Sequence, residues 1–308
     1  MSDPAPRALP FVKMHGASND YVYLDLFDDA FSGQLDGDAD ALAVRISDRR
    51  TGVGGDGLIL IAPPDAPDAD GRMIMRNADG SQAEMCGNGV RCVAKYLHDH
   101  VLSQPDTVRV QTAIGTLPID VVERDAAGRA TMLRVDMGPP TLAAASIPTT
   151  LAGEPPLQVP LDVDLTGCGL DGRLDVVRVT AISMGNPHAV CFFDDASLVT
   201  DRLVHTLGPR IETHPAFPNR TNVEFVICPP GGGAAEFTQR TWERGSGETF
   251  ACGTGAAAVC VAGILEGRLA SRSVGHLLGG DLVLEWDGQG SVFKTGPAVE
   301  VFRGMYVV

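Results

Sequence analysis

The feature that most constrains this chain is an internal repeat. Cys86-Gly87-Asn88-Gly89 and Cys252-Gly253-Thr254-Gly255 each set a cysteine before a Gly-x-Gly turn, and each runs into a small-residue, apolar segment that reads as a helix. The surroundings repeat as well. Met14-His15-Gly16 precedes Asn19 as Met184-Gly185 precedes Asn186, and Asn and Cys lie 67 residues apart in the first half and 66 in the second. Arg50-Thr51-Gly52-Val53 parallels Arg220-Thr221-Asn222-Val223, and a polar residue, Asn77 or Glu243, stands nine positions before each cysteine. The period is far longer than that of a solenoid. It predicts a duplicated α/β unit with pseudo-twofold symmetry, in which the two Cys turns form opposite walls of one interdomain cleft, a favoured place for ligands.

Periodicity fills in the elements. Residues 11–25 read as a strand, a polar turn and a second strand, and strands follow at 58–61, 72–75, 108–111, 117–122 and 132–135. In the second half strands are expected at 176–182, 189–193, 222–227, 237–242, 282–286, 292–294 and 299–302. Helical spacing covers 40–50, 89–97, 201–211 and the run from the second Cys turn to Leu265. Residues 63–71 read as a surface loop, and the proline-rich stretch 139–160 as a connection between halves.

Composition narrows the function. A net charge of −15 with no basic stripe argues against a nucleic-acid partner. No apolar run reaches the length of a membrane span, and residues 1–10 lack the apolar core of a secretory signal. The seven cysteines form no disulfide ladder, which fits a reducing cytoplasm. Cys92, Cys191, Cys228 and Cys260 sit among apolar neighbours and read as packing. No Cys-x-x-Cys or Cys-x-x-His spacing occurs, so no metal is expected. The glycine-rich loop 51–57 lacks the lysine of a P-loop and the register of a dinucleotide fingerprint, and nothing nominates a Schiff-base lysine, so no cofactor is expected either.

Two thiols at two helix starts suggest a specific chemistry. Free amides at a helix N-terminus hold an anion and lower a nearby thiol pKa. A thiolate on one face of a tetrahedral carbon takes a proton while a thiol on the other face returns one, and the configuration inverts. Cysteine, at about 8.5, is within range once tuned. The same helix starts would grip an α-carboxylate and stabilise the charge that develops on it.

The motifs Met14-His15-Gly16-x-x-Asn19-Asp20, Asn77-Ala78-Asp79-Gly80-Ser81, Cys86-Gly87-Asn88-Gly89-x-Arg91-Cys92, Met184-Gly185-Asn186-Pro187-His188, Glu243-Arg244-Gly245-x-Gly247-Glu248-Thr249 and Ala251-Cys252-Gly253-Thr254-Gly255 resemble those of diaminopimelate epimerases over nearly the whole chain. The resemblance implies two similar α/β domains, each a curved, mostly antiparallel sheet wrapped around a central helix, with the last strand returning to the first domain. The halves would be residues 1–131 with 296–308, and residues 132–295. It implies a cytoplasmic, cofactor-independent homodimer that interconverts LL- and meso-2,6-diaminopimelate in lysine and peptidoglycan-precursor synthesis. Carried over by position, Cys86 and Cys252 are the acid/base pair, and Gly87-Asn88 and Gly253-Thr254 hold the reacting carboxylate. Asn19, Asn77, Asn186, Asn222, Glu243 and Arg244 bind the substrate's charged ends, and His188 and Glu243 adjust the thiols. Two departures stand out: Gly57 where some members carry a substrate-touching glutamine, and Phe302 where some carry a tyrosine at the dimer contact.

Rival readings exist for these residues. Alone, Cys-Gly-x-Gly is an ordinary structural turn, and Asn19 and Asn186 are ordinary turn formers. A proline or hydroxyproline racemase would use the same two thiols, and a non-catalytic amino-acid binder would keep the cleft without the chemistry. Two close thiols could also oxidise to a disulfide.

Overall fold

The computed structural model describes residues 8–27, 39–83, 86–170, 172–229 and 231–308. The first seven residues of the N-terminal stretch read for a signal lie outside these, as do Glu84 and Met85 before the first Cys turn. The chain divides into two compact units, Met1–Val135 with Gly296–Val308, and Asp136–Thr295. No helix among the described residues is long and apolar enough to cross a membrane.

The first unit contains β1 (Ala8–Gly16), β2 (Asn19–Asp25), α1 (Ala39–Ser47), β3 (Gly57–Ala62), β4 (Gly71–Asn77), β5 (Gln82–Ala83), α2 (Gly87–Tyr96), β6 (Thr107–Thr112), β7 (Gly115–Arg124) and β8 (Ala130–Asp136). Its main strands pair in the order β1, β2, β3, β4, β6, β7, β8, with β2–β3 and β4–β6 parallel and the other neighbours antiparallel. The helix α2 contacts β1, β2, β6 and β7, and its residues from Asn88 to Tyr96 are buried. A helix covered on all sides is the middle of a core. It carries two charges into that core. Arg91 donates from Nη1 to Gly87 O (3.1 Å), and Lys95 donates from Nζ to Asp99 Oδ2 (2.7 Å) and Ala130 O (2.6 Å).

The second unit repeats the plan with β9 (Val159–Leu161), β10 (Val177–Ser183), β11 (Pro187–Phe193), α3 (Asp201–Glu212), β12 (Asn222–Ile227), β13 (Ala234–Glu243), β14 (Gly247–Thr249), α4 (Gly253–Leu265), β15 (Leu269–Leu277), β16 (Gly280–Glu285) and β17 (Phe293–Pro297). The order is β10, β11, β12, β13, β15, β16, β17, with β11–β12 and β13–β15 parallel. This is the same succession of pairings as in the first unit. The central helix α4 contacts β10, β11, β12, β15 and β16. Ala256, Ala257, Ala258 and Ala262 let these strands approach, and all four are fully buried. The last strand, β18 (Val299–Val307), belongs to the first unit and pairs antiparallel with β1.

Two expectations need correction. Residues 139–160 are no loose connection. Thr141 bridges Ser183, Thr150 N donates to Ala216 O (3.0 Å), and Ile147 is buried in the second unit's core. The strand β15 was not expected at all: its sequence, Leu269-Ala-Ser-Arg-Ser-Val-Gly-His-Leu, has weak alternation, and parallel pairing to β13 makes it a strand.

Candidate active site

In the first unit Cys86 is the N-cap of α2. Its extended backbone (φ −126°, ψ 115°) turns Sγ back over the helix start, where it accepts from Gly89 N at 3.4 Å. Asn19, at the start of β2, reaches the same point: its Oδ1 lies 3.2 Å from Cys86 Sγ and 3.5 Å from Asn88 Nδ2. The Tyr21 hydroxyl donates towards Sγ at 3.8 Å. Asn88 is buried, and its Oδ1 has no hydrogen-bond partner among the described residues. A buried carbonyl oxygen left open beside a thiol is a ready acceptor for a ligand's N–H.

A charged network holds Asn19. Its Nδ2 donates to Asp56 Oδ2 (2.7 Å), Asp56 and Asp20 share Arg49 (2.8 and 2.7 Å), and Asp20 also pairs with Lys13 (2.5 Å). These partners hold the Asp20 carboxyl below its ordinary range although partial burial pushes it up. Asn77 stands one step away. Its side chain donates to Ser81 Oγ (2.9 Å) within the β4–β5 turn, and Ala78 N donates to Asp56 O (3.2 Å). At Gly57 a Cβ would come within 2.2 Å of Arg76 O, so a side chain at this position cannot be accommodated without displacing β4.

In the second unit Cys252 is the N-cap of α4 in the same geometry (φ −108°, ψ 108°), its Sγ accepting from Gly255 N at 3.4 Å and lying 3.4 Å from Thr254 Oγ1. His188 from β11 is fully buried between Asn186 and Glu224: Nε2 is 3.0 Å from Asn186 Oδ1 and Nδ1 is 2.8 Å from Glu224 Oε1. Asn222, which pairs with His188 across β11–β12, donates from Nδ2 to Pro187 O (2.9 Å) and accepts from Arg244 N (3.0 Å). β13 ends at Glu243, whose Oε1 accepts from Thr249 Oγ1 (2.5 Å). Arg244 follows in an exposed turn and donates from Nη1 to Asn219 O (3.2 Å).

The electrostatics of Cys252 differ from expectation. Helix-start donors were expected to bring the thiol down. Burial instead pushes it well up, and Glu243 and Glu224 push it further, against the smaller lowering by Thr254 and the Gly255 amide. Burial and the two carboxylates thus oppose ionisation of the Cys252 thiol.

Glu224 is the residue the sequence analysis missed. It is fully buried in β12 and accepts at Oε2 from Thr241 Oγ1 (2.6 Å) and Gln239 Nε2 (2.7 Å). Its one signal was a charge within the apolar run Val223–Ile227. With His188 and Cys252 it forms a group whose ligand atoms lie within 4.8 Å of one another, the composition of a metal site. Both carboxylate oxygens and both ring nitrogens have hydrogen-bond partners.

Comparison with known proteins places the chain. The diaminopimelate epimerase family model matches residues 11–143 and 180–301. The diaminopimelate epimerase of Pelotomaculum thermopropionicum is 44% identical over 297 residues, 96% of this chain and 98% of that protein. That of Desulfovibrio desulfuricans is 44% identical over 308 residues, covering 98% and 99%. Among solved structures, a hydroxyproline epimerase from Agrobacterium vitis with bound trans-4-hydroxy-L-proline superposes with a TM-score of 0.61 at 17% identity, over 97% of this chain and 91% of that one. A phenazine biosynthesis protein from Bacillus anthracis superposes at 0.66 with 12% identity, covering 98% and 100%. At such identities the last two establish the fold alone.

Proposed function

Because the chain belongs to the diaminopimelate epimerase family, we propose that it is an isomerase inverting one α-carbon of LL-2,6-diaminopimelate to give the meso form, with Cys86 and Cys252 as its acid/base pair. The observation that carries the reading is the duplicated cap: in each unit a cysteine Sγ accepts from the third residue of a buried central helix, at 3.4 Å in both. One thiolate removes the α-proton. The electron pair passes to the α-carbon and its carboxylate, and the other thiol protonates the opposite face. The thiol and thiolate have then exchanged, and the reverse reaction uses them in the other order.

The helix-start amides of Gly87-Asn88 and Gly253-Thr254 stabilise the developing carboxylate charge. Burial and two carboxylates oppose ionisation of Cys252, and the two thiols exchange the roles of acid and base with the direction of reaction. Asn19, Asn77, Asn186, Asn222 and Glu243 take the ammonium and carboxylate groups. Arg244 suits a carboxylate because its fork matches one bidentately. His188 and Glu243 adjust Cys252. The protein works in the cytoplasm as a homodimer in lysine and peptidoglycan-precursor synthesis. Phe302 stands at the contact, where β18 carries exposed Val301, Phe302 and Met305.

The test is solvent exchange. In deuterium oxide the wild type incorporates label at the α-carbon of diaminopimelate, and Cys86→Ala and Cys252→Ala each lower inversion by about 10²-fold or more. Turnover of proline or hydroxyproline without diaminopimelate, or saturable binding without exchange, would replace this reading.

A further inference from the structure

The two units carry a built-in control. On β2–β3 the residue four beyond Asn19, Tyr23, pairs with Ile59; on β11–β12 the residue four beyond Asn186, Val190, pairs with Glu224. These positions lie under the same point of the two central helices. A Cβ on Gly89 would come within 2.8 Å of Ile59 Cδ1, and one on Gly255 within 2.5 Å of Glu224 Oε1. The fold thus accepts an isoleucine in this position, and packing does not require an acid there. A carboxylate out of water costs several kcal/mol unless hydrogen bonds offset it. Thr241, Gln239 and His188 supply those bonds.

We propose that Glu224 is a positioning residue for the Cys252 half of the reaction: its carboxylate locks the His188 ring and sets a fixed negative charge beneath the first turn of α4. The inference rests on the epimerase reading and deepens it. A carboxylate only accepts, so His188 Nδ1 donates to Glu224 Oε1 (2.8 Å), while Nε2 lies 3.0 Å from the Asn186 side chain. The charge beneath α4 opposes ionisation of Cys252. The titratable groups around Glu224 are His188 from β11, Cys252 at the start of α4, and Cys191, whose thiol burial and Glu224 push up; Glu243, at the end of β13, acts on the same Cys252 thiol. The first unit lacks this device: Tyr21 takes the place of His188 and Ile59 that of Glu224.

The test follows iodoacetamide alkylation of the Cys252 peptide against pH by mass spectrometry, beside kcat and KM for diaminopimelate. Glu224→Gln keeps the shape and removes the charge. The alkylation midpoint should fall by about one pH unit or more. kcat should fall about tenfold or more, as when an imidazole loses its orienting partner, with KM changed less. A variant that melts like the wild type with an unmoved midpoint and unchanged kcat overturns the proposal. If Glu224→Gln does not fold, Glu224→Asp decides. It keeps the charge but draws back from His188, so the midpoint should stay high while kcat falls, and full activity there would overturn the positioning role. Alkylation needs no substrate. A protein inert towards diaminopimelate whose Cys252 midpoint still falls in Glu224→Gln would end the epimerase reading and leave the charge effect standing.

Discussion

At Cys252 the helix-start donors and the surrounding carboxylates act against each other, and burial decides the outcome for the thiol. The other buried cysteines follow burial more simply: it pushes Cys92 up to about 11 and Cys260 up to about 12. An unfolded chain would ionise these thiols near 8.5. Below that pH both states hold the proton and the stability is intact. Between about 8.5 and the raised folded values only the native state holds it, so stability falls by about 1.4 kcal/mol per pH unit for each thiol. Thermal melts from pH 8 to 11 should therefore drop steadily, and Cys260→Ala should drop less steeply; parallel slopes would contradict the assignment. The matched N-cap cysteines of α2 and α4 were legible in the sequence because the Cys-Gly-x-Gly turn occurs twice in matched surroundings. Glu224 was not legible as a site residue. Its partners come from β11, β13 and α4, and only the pairing of strands brings them together.

Among the elements, the central helices and the strands beside them were readable from periodicity. The failures came where tertiary contact outweighs local pattern. β15 has weak alternation and is fixed by β13, and residues 139–160, rich in proline, fold onto β10 and the core around Ile147. α3 shows the opposite case, an element specified locally. Leu203, Val204, Leu207 and Ile211 recur at helical spacing and are buried, and Thr200 Oγ1 accepts from Leu203 N at 3.2 Å. Thr200→Ala should cost about 1 kcal/mol of stability and leave epimerisation unchanged. Denaturant titration with an activity assay checks this, and a loss of activity beyond the lost stability would show that α3 serves the chemistry directly.

For the whole molecule, the duplicated succession of parallel and antiparallel pairings accounts for the repeat read in the sequence, and β18 joins the end of the chain to the first unit's β1. β18 leaves Val301 (53%), Phe302 (48%), Met305 (61%) and Val307 (63%) exposed on both of its faces, a row that is costly to leave in water. Phe302 also meets Phe11 edge-on, with ring centroids 5.8 Å apart. In the proposed homodimer a second copy covers this row, so Phe302→Asp should shift sedimentation from dimer to monomer. A wild type that sediments as a monomer at every concentration would remove the contact. The central claim, one thiol for each face of the carbon, is tested most directly by a short incubation of LL-diaminopimelate in deuterium oxide. The account predicts that newly formed meso product carries one deuterium at the inverted carbon from the first turnover, while the remaining LL-substrate is unlabelled. Product that retains the substrate's own hydrogen would mean that a single base serves both faces, and would contradict it.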